Sequence, residues 1–270
     1  MKRLNIVVPY RAREAHLRQF VPHVRSYFAR DKVDRDIPYR VLIVEQEHDG
    51  LPFNRGALKN VGFVLGRDGS DYTAFHDIDY LPVWADYTFP DTLTPIVWYG
   101  AEARPLVVGR AGVIVNPLER FFGAVALTPN EMFEQVDGFA NSYWGWGYED
   151  MDLAQRFLKA GFSHGRRKGT FLALDHQNEG LQIDKKTGAK IEQTPISVVN
   201  ERLYQAKWSE GGTPSKNDGL SSLDFTILQR RAVPEISSSE RQGSWEIVTV
   251  RLNMRPTPEQ VTADILTRNA

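Results

Sequence analysis

The chain has 270 residues, with 33 basic and 34 acidic side chains, and its net charge of −1 leaves no electrostatic footprint for nucleic acid or an anionic membrane. Hydrophobic residues at 41% and charged residues at 25% suit a globular enzyme, and zero cysteines exclude disulfides and thiolate metal sites. No segment approaches the roughly 18 unbroken apolar residues of a membrane helix. The apolar run in MKRLNIVVPYRARE is shorter than the about 7–15 residues of a signal-peptide core. A cytoplasmic protein with no transmembrane segment is expected.

Asn5–Tyr10 (NIVVPY) reads as a buried strand entering the fold directly. A helix follows, with Leu17, Phe20, Val21, Val24 and Phe28 at helical spacing and Pro22 expected at a turn or kink. Tyr39–Gln46 is a second strand, and NRGALKNVGFVLG is a helix ending at Gly66. DYTAFHDIDYLP is a third strand running into acids and a proline. This β-α-β-α-β order predicts an α/β fold with a doubly wound, mostly parallel sheet, whose ligands gather at the carboxyl ends of the strands. Pro9–Arg13, Gln46–Arg55 and Asp77–Asp79 fall at such ends.

Phe121–Pro129 is strand-like, PNEMFEQVDGF is a short helix stopped near Gly138, and EDMDLAQRFLKAGF is a helix stopped at Gly161. FLALDH is a short strand, and the polar QNEGLQIDKKTGAKIEQTP reads as a mobile loop. PISVVNERLYQAKW is a helix, and LDFTILQRR with WEIVTVRLN forms a small antiparallel C-terminal element. No composition break divides the chain, so one domain over residues 1–270 is expected. Its donor-binding half covers about 1–120, its acceptor-binding and catalytic half about 121–232, and a C-terminal strand and tail 233–270.

Four constellations can carry chemistry. In HDIDYLP, Asp77 and Asp79 can share a ligand if the chain bends there, and paired carboxylates suit a hard divalent cation on a diphosphate; taken alone the pair reads more readily as a solvated acidic turn. Arg11, Arg13 and Arg55 present guanidinium forks to phosphate or uracil-like oxygens, and Phe53 can stack on a base or fill the core. In YWGWGYEDMDL, Trp144 and Trp146 offer flat faces to sugars while Gly145 and Gly147 free the backbone. Glu149 and Asp150 there head a helix whose dipole favours negative charge; a structural loop with two buried tryptophans is the alternative. His176 is a candidate ligand for a manganese-like or zinc-like ion, or an ordinary polar residue.

VVPYRAREAHL, FNRGALKNVGF, HDIDYLP, FFGAVALTP, GFANSYWGWGYEDMDL and NDGLSSLDFTIL, in this order over roughly residues 4–231, resemble the β-1,4-galactosyltransferase family of inverting glycosyltransferases. The resemblance implies a GT-A nucleotide-diphospho-sugar transferase fold, a UDP-sugar donor (UDP-galactose or UDP-N-acetylgalactosamine), Mn²⁺ and a carbohydrate or glycoconjugate acceptor. Carried over by position, Pro9, Arg11, Arg13, Phe53 and Arg55 line the donor site. Asp77 binds the donor, Asp79 and His176 hold the metal, and Trp146 belongs to a mobile loop over the donor. Asp150 is the general base with Glu149 beside it, and Trp144, Tyr148, Met151 and Phe121 face the acceptor. Met151 stands where many relatives carry an aspartate that touches the acceptor sugar, which speaks against N-acetylglucosamine-type acceptors. Phe121 stands where galactose-transferring relatives often have tyrosine, and Tyr148 replaces a small or basic residue. The missing anchor and cysteines suggest a bacterial-type member with room for peripheral membrane contact. A non-catalytic sugar or nucleotide-sugar binding protein on the same fold is the alternative reading.

Overall fold

Strand β1 (Leu4–Tyr10) is buried at every position, and its alternating side chains enter two different cores. Leu4, Ile6 and Val8 share one with Phe20 and Val24 of helix α1 (Glu14–Arg30); Val7 shares the other with Leu58 and Val61 of helix α2 (Arg55–Gly66). A strand with a side-chain period of two and apolar residues on both faces needs cover on both, which one helix on each side supplies. Strand β2 (Tyr39–Gln46) divides in the same way, Val41 and Ile43 on one side and Leu42 and Val44 on the other. The computed structural model describes residues 1–30, 37–97, 122–174, 181–183, 190–209, 217–233 and 243–268.

Strand β3 (Tyr72–His76) lies parallel to β1 on the side opposite β2. β4 (Tyr80–Ala85) leaves the sheet, while β5 (Thr94–Pro95) and β6 (Val125–Pro129) extend it beyond β3. Helices α3 (Asn130–Gln135) and α4 (Glu149–Lys159) precede β7 (Gly169–Ala173), which pairs antiparallel with β4. β8 (Leu181–Ile183) and β9 (Lys190–Gln193) pair with each other, and helix α5 (Pro195–Trp208) follows. β10 (Phe225–Ala232), β11 (Gly243–Leu252) and helix α6 (Pro258–Arg268) end the described chain. The main sheet has the order β10-β11-β2-β1-β3-β6-β5, parallel from β11 to β3 and antiparallel at both flanks. This is the expected doubly wound architecture, and β10–β11 is the expected antiparallel pair, with β11 running parallel to β2.

Four details differ from the sequence expectations. Pro22 lies inside α1, which continues through it. The third strand is two strands: β3 ends at His76, the chain turns at Asp77–Asp79, and β4 restarts at Tyr80 with Pro82 inside it. The polar segment read as a loop carries the β8–β9 pair. The C-terminal tail contains α6, whose start is a capping box: Thr257 N–H donates to Gln260 Oε1 at 3.0 Å and Gln260 N–H donates to Thr257 Oγ1 at 3.2 Å. TPEQ is the sequence signature of that box, with proline at the first helical position.

Candidate active site

β1, β2 and β3 are parallel neighbours, so the segments that follow them share one edge of the sheet. Arg11 and Arg13 follow β1, Phe53 and Arg55 follow β2, and Asp77–Asp79 follow β3. The loop after β2 is pinned from both sides: Gln46 Nε2 donates to Pro52 O at 2.9 Å and Gln46 Oε1 accepts from Asn54 N–H at 2.8 Å. Asn54 caps α2 by accepting from Ala57 N–H at 2.9 Å, and its Nδ2 donates to Asn141 O at 2.7 Å. Asn60 Nδ2 donates to Phe139 O at 2.7 Å and to Asn141 Oδ1 at 2.9 Å. The two asparagines stitch α2 to the chain entering the tryptophan loop. Gly56 permits the contact, since a Cβ there would lie 2.9 Å from Ala140 O. This register sets Arg55 and Lys59 of α2 opposite the head of α4.

Arg55 Nη1 donates to Glu149 Oε1 at 3.2 Å and lies 3.8 Å from Asp77 Oδ2. Lys59, one turn further along α2, places Nζ 3.8 Å from Asp77 Oδ1 and 4.0 Å from Glu149 Oε1. Asp77, Asp79, Glu149 and Asp150 all act electrostatically on Arg55, and Lys59 acts on Asp77, Glu149 and Asp150. Burial pushes the Glu149 carboxyl up, but Arg55 and Lys59 outweigh it and hold the group below its ordinary range. Asp150 moves the other way: burial and the neighbouring Glu149 charge raise its carboxyl from 3.8 to about 6. Met151 N–H donates to Asp150 Oδ1 at 2.8 Å and leaves the second oxygen for other use.

Backbone geometry is unusual around these residues. Among the described residues, Ala12, Ala124, Asp137 and Tyr148 are the non-glycine positions with positive φ. Ala12 separates Arg11 from Arg13, Ala124 O accepts from Asp77 N–H at 2.7 Å, and Tyr148 at φ 74° immediately precedes Glu149. Such conformations cost about 1–3 kcal/mol each and cluster at functional sites. The bend that lets Asp77 and Asp79 face one ligand is present: Tyr80 N–H donates to Asp77 O at 3.2 Å, and Leu174 N–H donates to Asp79 O at 2.7 Å. β7 thereby runs up beside Asp79.

The structure sorts the expected site residues. Arg55, Asp77, Asp79, Glu149 and Asp150 converge as one charged group. Arg11 stacks its guanidinium 5.3 Å from the Phe53 ring and donates to Leu51 O at 2.8 Å, which joins the first two loops. Phe53 also rests on the core, as the packing reading of it expects. Pro9 is buried in β1 beside Val44, and Arg13 is half-buried at the start of α1. Trp146 and Met151 are half-buried next to the acid pair, and Tyr148 packs on Tyr204 at 5.5 Å. Trp144 is a correction. It is 2% exposed within the core beneath α2, so it is a packing residue and not an acceptor wall. Phe121 and His176 lie outside the described residues.

Two groups were not singled out from the sequence. Lys59 is one; its signal was its place one helical turn from Arg55. The other is the support of the tryptophan loop. Asn200 of α5 donates to both Trp144 O and Trp146 O at 3.0 Å, and Gln260 of α6 donates to Asn200 Oδ1 at 3.2 Å. Gly145, at φ +78°, donates its N–H to Phe53 O at 2.7 Å, and a Cβ there would meet Ile196 Cγ1 at 2.3 Å. Only glycine fits that position.

Residues 1–89 match the family model described as the N-terminal region of glycosyl transferase group 7, and residues 109–177 match the N-terminal domain of galactosyltransferase. The chain belongs to glycosyltransferase group 7. The β-1,4-galactosyltransferase 7 of Homo sapiens is 35% identical over 236 residues, covering 86% of this chain and 63% of that protein. The Drosophila melanogaster β-1,4-galactosyltransferase 7 is 29% identical over 234 residues, covering 73% and 68%, and the Mus musculus β-1,4-galactosyltransferase 4 is 34% identical, covering 84% and 60%. The chain thus spans 60–68% of the length of these three group 7 proteins. All are animal proteins, so the expected bacterial type is not borne out. The catalytic domain of Drosophila β-1,4-galactosyltransferase 7, solved with xylobiose, superimposes with a TM-score of 0.67 at 23% identity over 94% of this chain and 95% of that one. A mutant of that enzyme, solved with manganese, UDP-Gal and xylobiose, superimposes equally well. The fold is therefore the expected GT-A fold of group 7. No helix among the described residues is long and apolar enough to cross a membrane.

Proposed function

We propose that the protein is a metal-dependent inverting glycosyltransferase that moves galactose or N-acetylgalactosamine from a UDP-sugar to a carbohydrate hydroxyl, with Asp150 as general base. The observation that carries this reading is the acid pair at the head of α4, where Arg55 bonds Glu149 at 3.2 Å and Asp150 keeps one oxygen beyond its bond from Met151 N–H. Glu149 is held as a carboxylate by Arg55 and Lys59, while Asp150 is lifted to about 6, close to the working pH of a base. In the transfer, the acceptor oxygen bonds to the anomeric carbon as the bond to UDP breaks and its electron pair leaves with UDP. Asp150 takes the acceptor's proton. Arg55, with Arg11 and Arg13 on the same sheet edge, offers fixed positive charge to the diphosphate. Trp146 and the Gly145–Gly147 backbone border the donor, with Met151 beside the base.

A divalent cation suits the donor chemistry at the β3–β4 turn, where hard carboxylate oxygens gather in acid excess. Asp77 Oδ1 is buried there with no hydrogen-bond partner among the described residues. No cluster of three or more His, Cys, Asp or Glu side chains that could hold a metal occurs among the described residues. Asp79 and His176, two residues beyond Leu174, would hold Mn²⁺, which would balance the charge of the leaving diphosphate. The complexes of the Drosophila enzyme with UDP-Gal and xylobiose make UDP-galactose and a xylose-ended glycan the first pair to test. The test is a panel of UDP-sugars with and without Mn²⁺, scored for UDP release and for transfer to xylosides and other simple glycosides. Metal-dependent transfer is expected, and no turnover of any UDP-sugar would overturn the reading.

A further inference from the structure

Lys59 is buried far more deeply than its neighbour on α2: its side chain is 3% exposed against 26% for Arg55. Burial strips a lysine of hydration and freezes a flexible stem, so packing alone favours an apolar residue at such a place. The surroundings of its ammonium are the site itself. Nζ lies 3.8 Å from Asp77 Oδ1, 4.0 Å from Glu149 Oε1 and 5.0 Å from the Phe139 ring centroid. Glu149 already has a direct bond from Arg55, so a second cation is not needed to pair that acid alone. Lys59 instead spans the gap between the β3–β4 turn and α4, the two acidic elements that must face one ligand.

We propose that Lys59 is a positioning residue of the transfer site: its ammonium holds Asp77 and Glu149 toward each other and sets the charge against which Asp150 works. This rests on the reading of Asp150 as the base. Among the described residues, the charged and titratable groups around the acid pair come from four elements. Asp77 and Asp79 belong to the β3–β4 turn, Glu149 and Asp150 to α4, Arg55 and Lys59 to α2, and His76 to β3. His76 contributes no charge near neutrality, because burial lowers it to about 4. Removing Lys59 takes away one of the two α2 cations that act on Glu149 and Asp150. Loss of a cation favours the protonated form of Glu149 and Asp150 alike, so the base form of Asp150 is reached only at higher pH.

The test compares the wild type with Lys59→Met and Lys59→Arg by two readouts. Carboxyl ¹³C titration of the unliganded protein, with the Asp150 signal assigned by its absence in Asp150→Asn, reads the charge effect without turnover. The pH profile of kcat/KM on the UDP-sugar identified above reads its consequence. Lys59→Met is expected to raise the Asp150 midpoint and the acidic limb of kcat/KM together by about one pH unit. Lys59→Arg is expected to restore both. A folded Lys59→Met protein with an unmoved Asp150 midpoint overturns the proposal, as does Lys59→Arg shifting as far as Lys59→Met. If the methionine variant does not fold, Lys59→Gln gives the same reading with a polar, uncharged tip. A wild type that turns over no UDP-sugar would sink the transferase reading, while the titration would still decide the role of Lys59.

Discussion

Replacing Asp150 by asparagine should move activity and stability in opposite directions. The amide keeps the shape of the side chain and an oxygen for the Met151 N–H bond of 2.8 Å, but it cannot take a proton. Transfer is expected to fall by about 10²–10⁴-fold, the usual contribution of a general base. Stability follows from linkage. Burial and the Glu149 charge raise the Asp150 carboxyl from 3.8 to about 6 in the folded protein, so the folded chain holds that proton more tightly than the unfolded chain. Stability from this group is complete below its unfolded value and is lost as pH rises through about 6. At pH 7 the ionised group therefore costs at most about 3 kcal/mol, taking about 1.4 kcal/mol per unit. Asparagine is free of that cost. At about 2–4 °C per kcal/mol for a chain near this size, Tm at pH 7 should rise by several degrees and at pH 3 should not rise.

The pH profile adds an independent check. A base titrating near 6 is about nine-tenths ionised at pH 7 and about one-tenth at pH 5, so wild-type kcat/KM should fall about tenfold between them. The residual rate of Asp150→Asn should lack that limb. UDP release, product formation and thermal melts at the two pH values suffice. Wild-type transfer by the variant would remove Asp150 as the base. A variant that loses transfer while its Tm at pH 7 stays at or below the wild-type value would refute the electrostatic account of why Asp150 is poised near 6.

Two further perturbations separate support from chemistry. Trp144→Ala empties a core position and should cost about 3–5 kcal/mol, whereas Trp146→Ala should leave Tm within a degree or two and raise donor KM; thermal melts beside UDP-sugar titrations distinguish them. Asp152→Asn removes a fully buried carboxylate that accepts from Arg156 Nε at 2.6 Å, Trp208 Nε1 at 2.9 Å and Tyr143 OH at 3.0 Å. Loss of one member of such a buried pair costs about 3–5 kcal/mol, a Tm drop of roughly 10 °C, with kcat near wild type at temperatures where the variant is folded.

The sheet edge carrying the site was legible in the sequence because it depends on local pattern. Apolar runs of strand length alternate with helical spacing, and that order alone sends the segments after β1, β2 and β3 to one edge. The acid pair at the head of α4 was legible for the same reason: Glu149 and Asp150 fall between a glycine-rich turn and a helical repeat. Contacts between segments distant in sequence were less legible. YWGWG gives no sign of which tryptophan turns inward; α2 and α4 decide that, and they take Trp144. The break of HDIDYLP into two strands depends on β7 arriving to pair with β4, far along the chain. Nothing local in NRGALKNVGFVLG marks Lys59; its role appears only when α2 lies against α4. The α6 helix had its capping signal in TPEQ, but its purpose is tertiary, since Gln260 bonds the asparagine that holds the tryptophan loop.

The three acids of the EDMD segment show how one fold assigns opposite roles to like residues. Asp152 points inward to Arg156, Lys207, Trp208 and Tyr143, a set of donors that satisfies it and anchors the first turn of α4. With that turn fixed, the helical period carries Glu149 and Asp150 to the sheet edge, where donors are few. Glu149 meets both cations of α2 and stays charged. Asp150 meets the charge of Glu149 and only the indirect help of those cations, so it is left able to accept a proton near neutrality. The difference comes from placement on one helix turn. A rigid, well-satisfied acid holds two others where their ionisation conflicts, and the conflict is what a base needs.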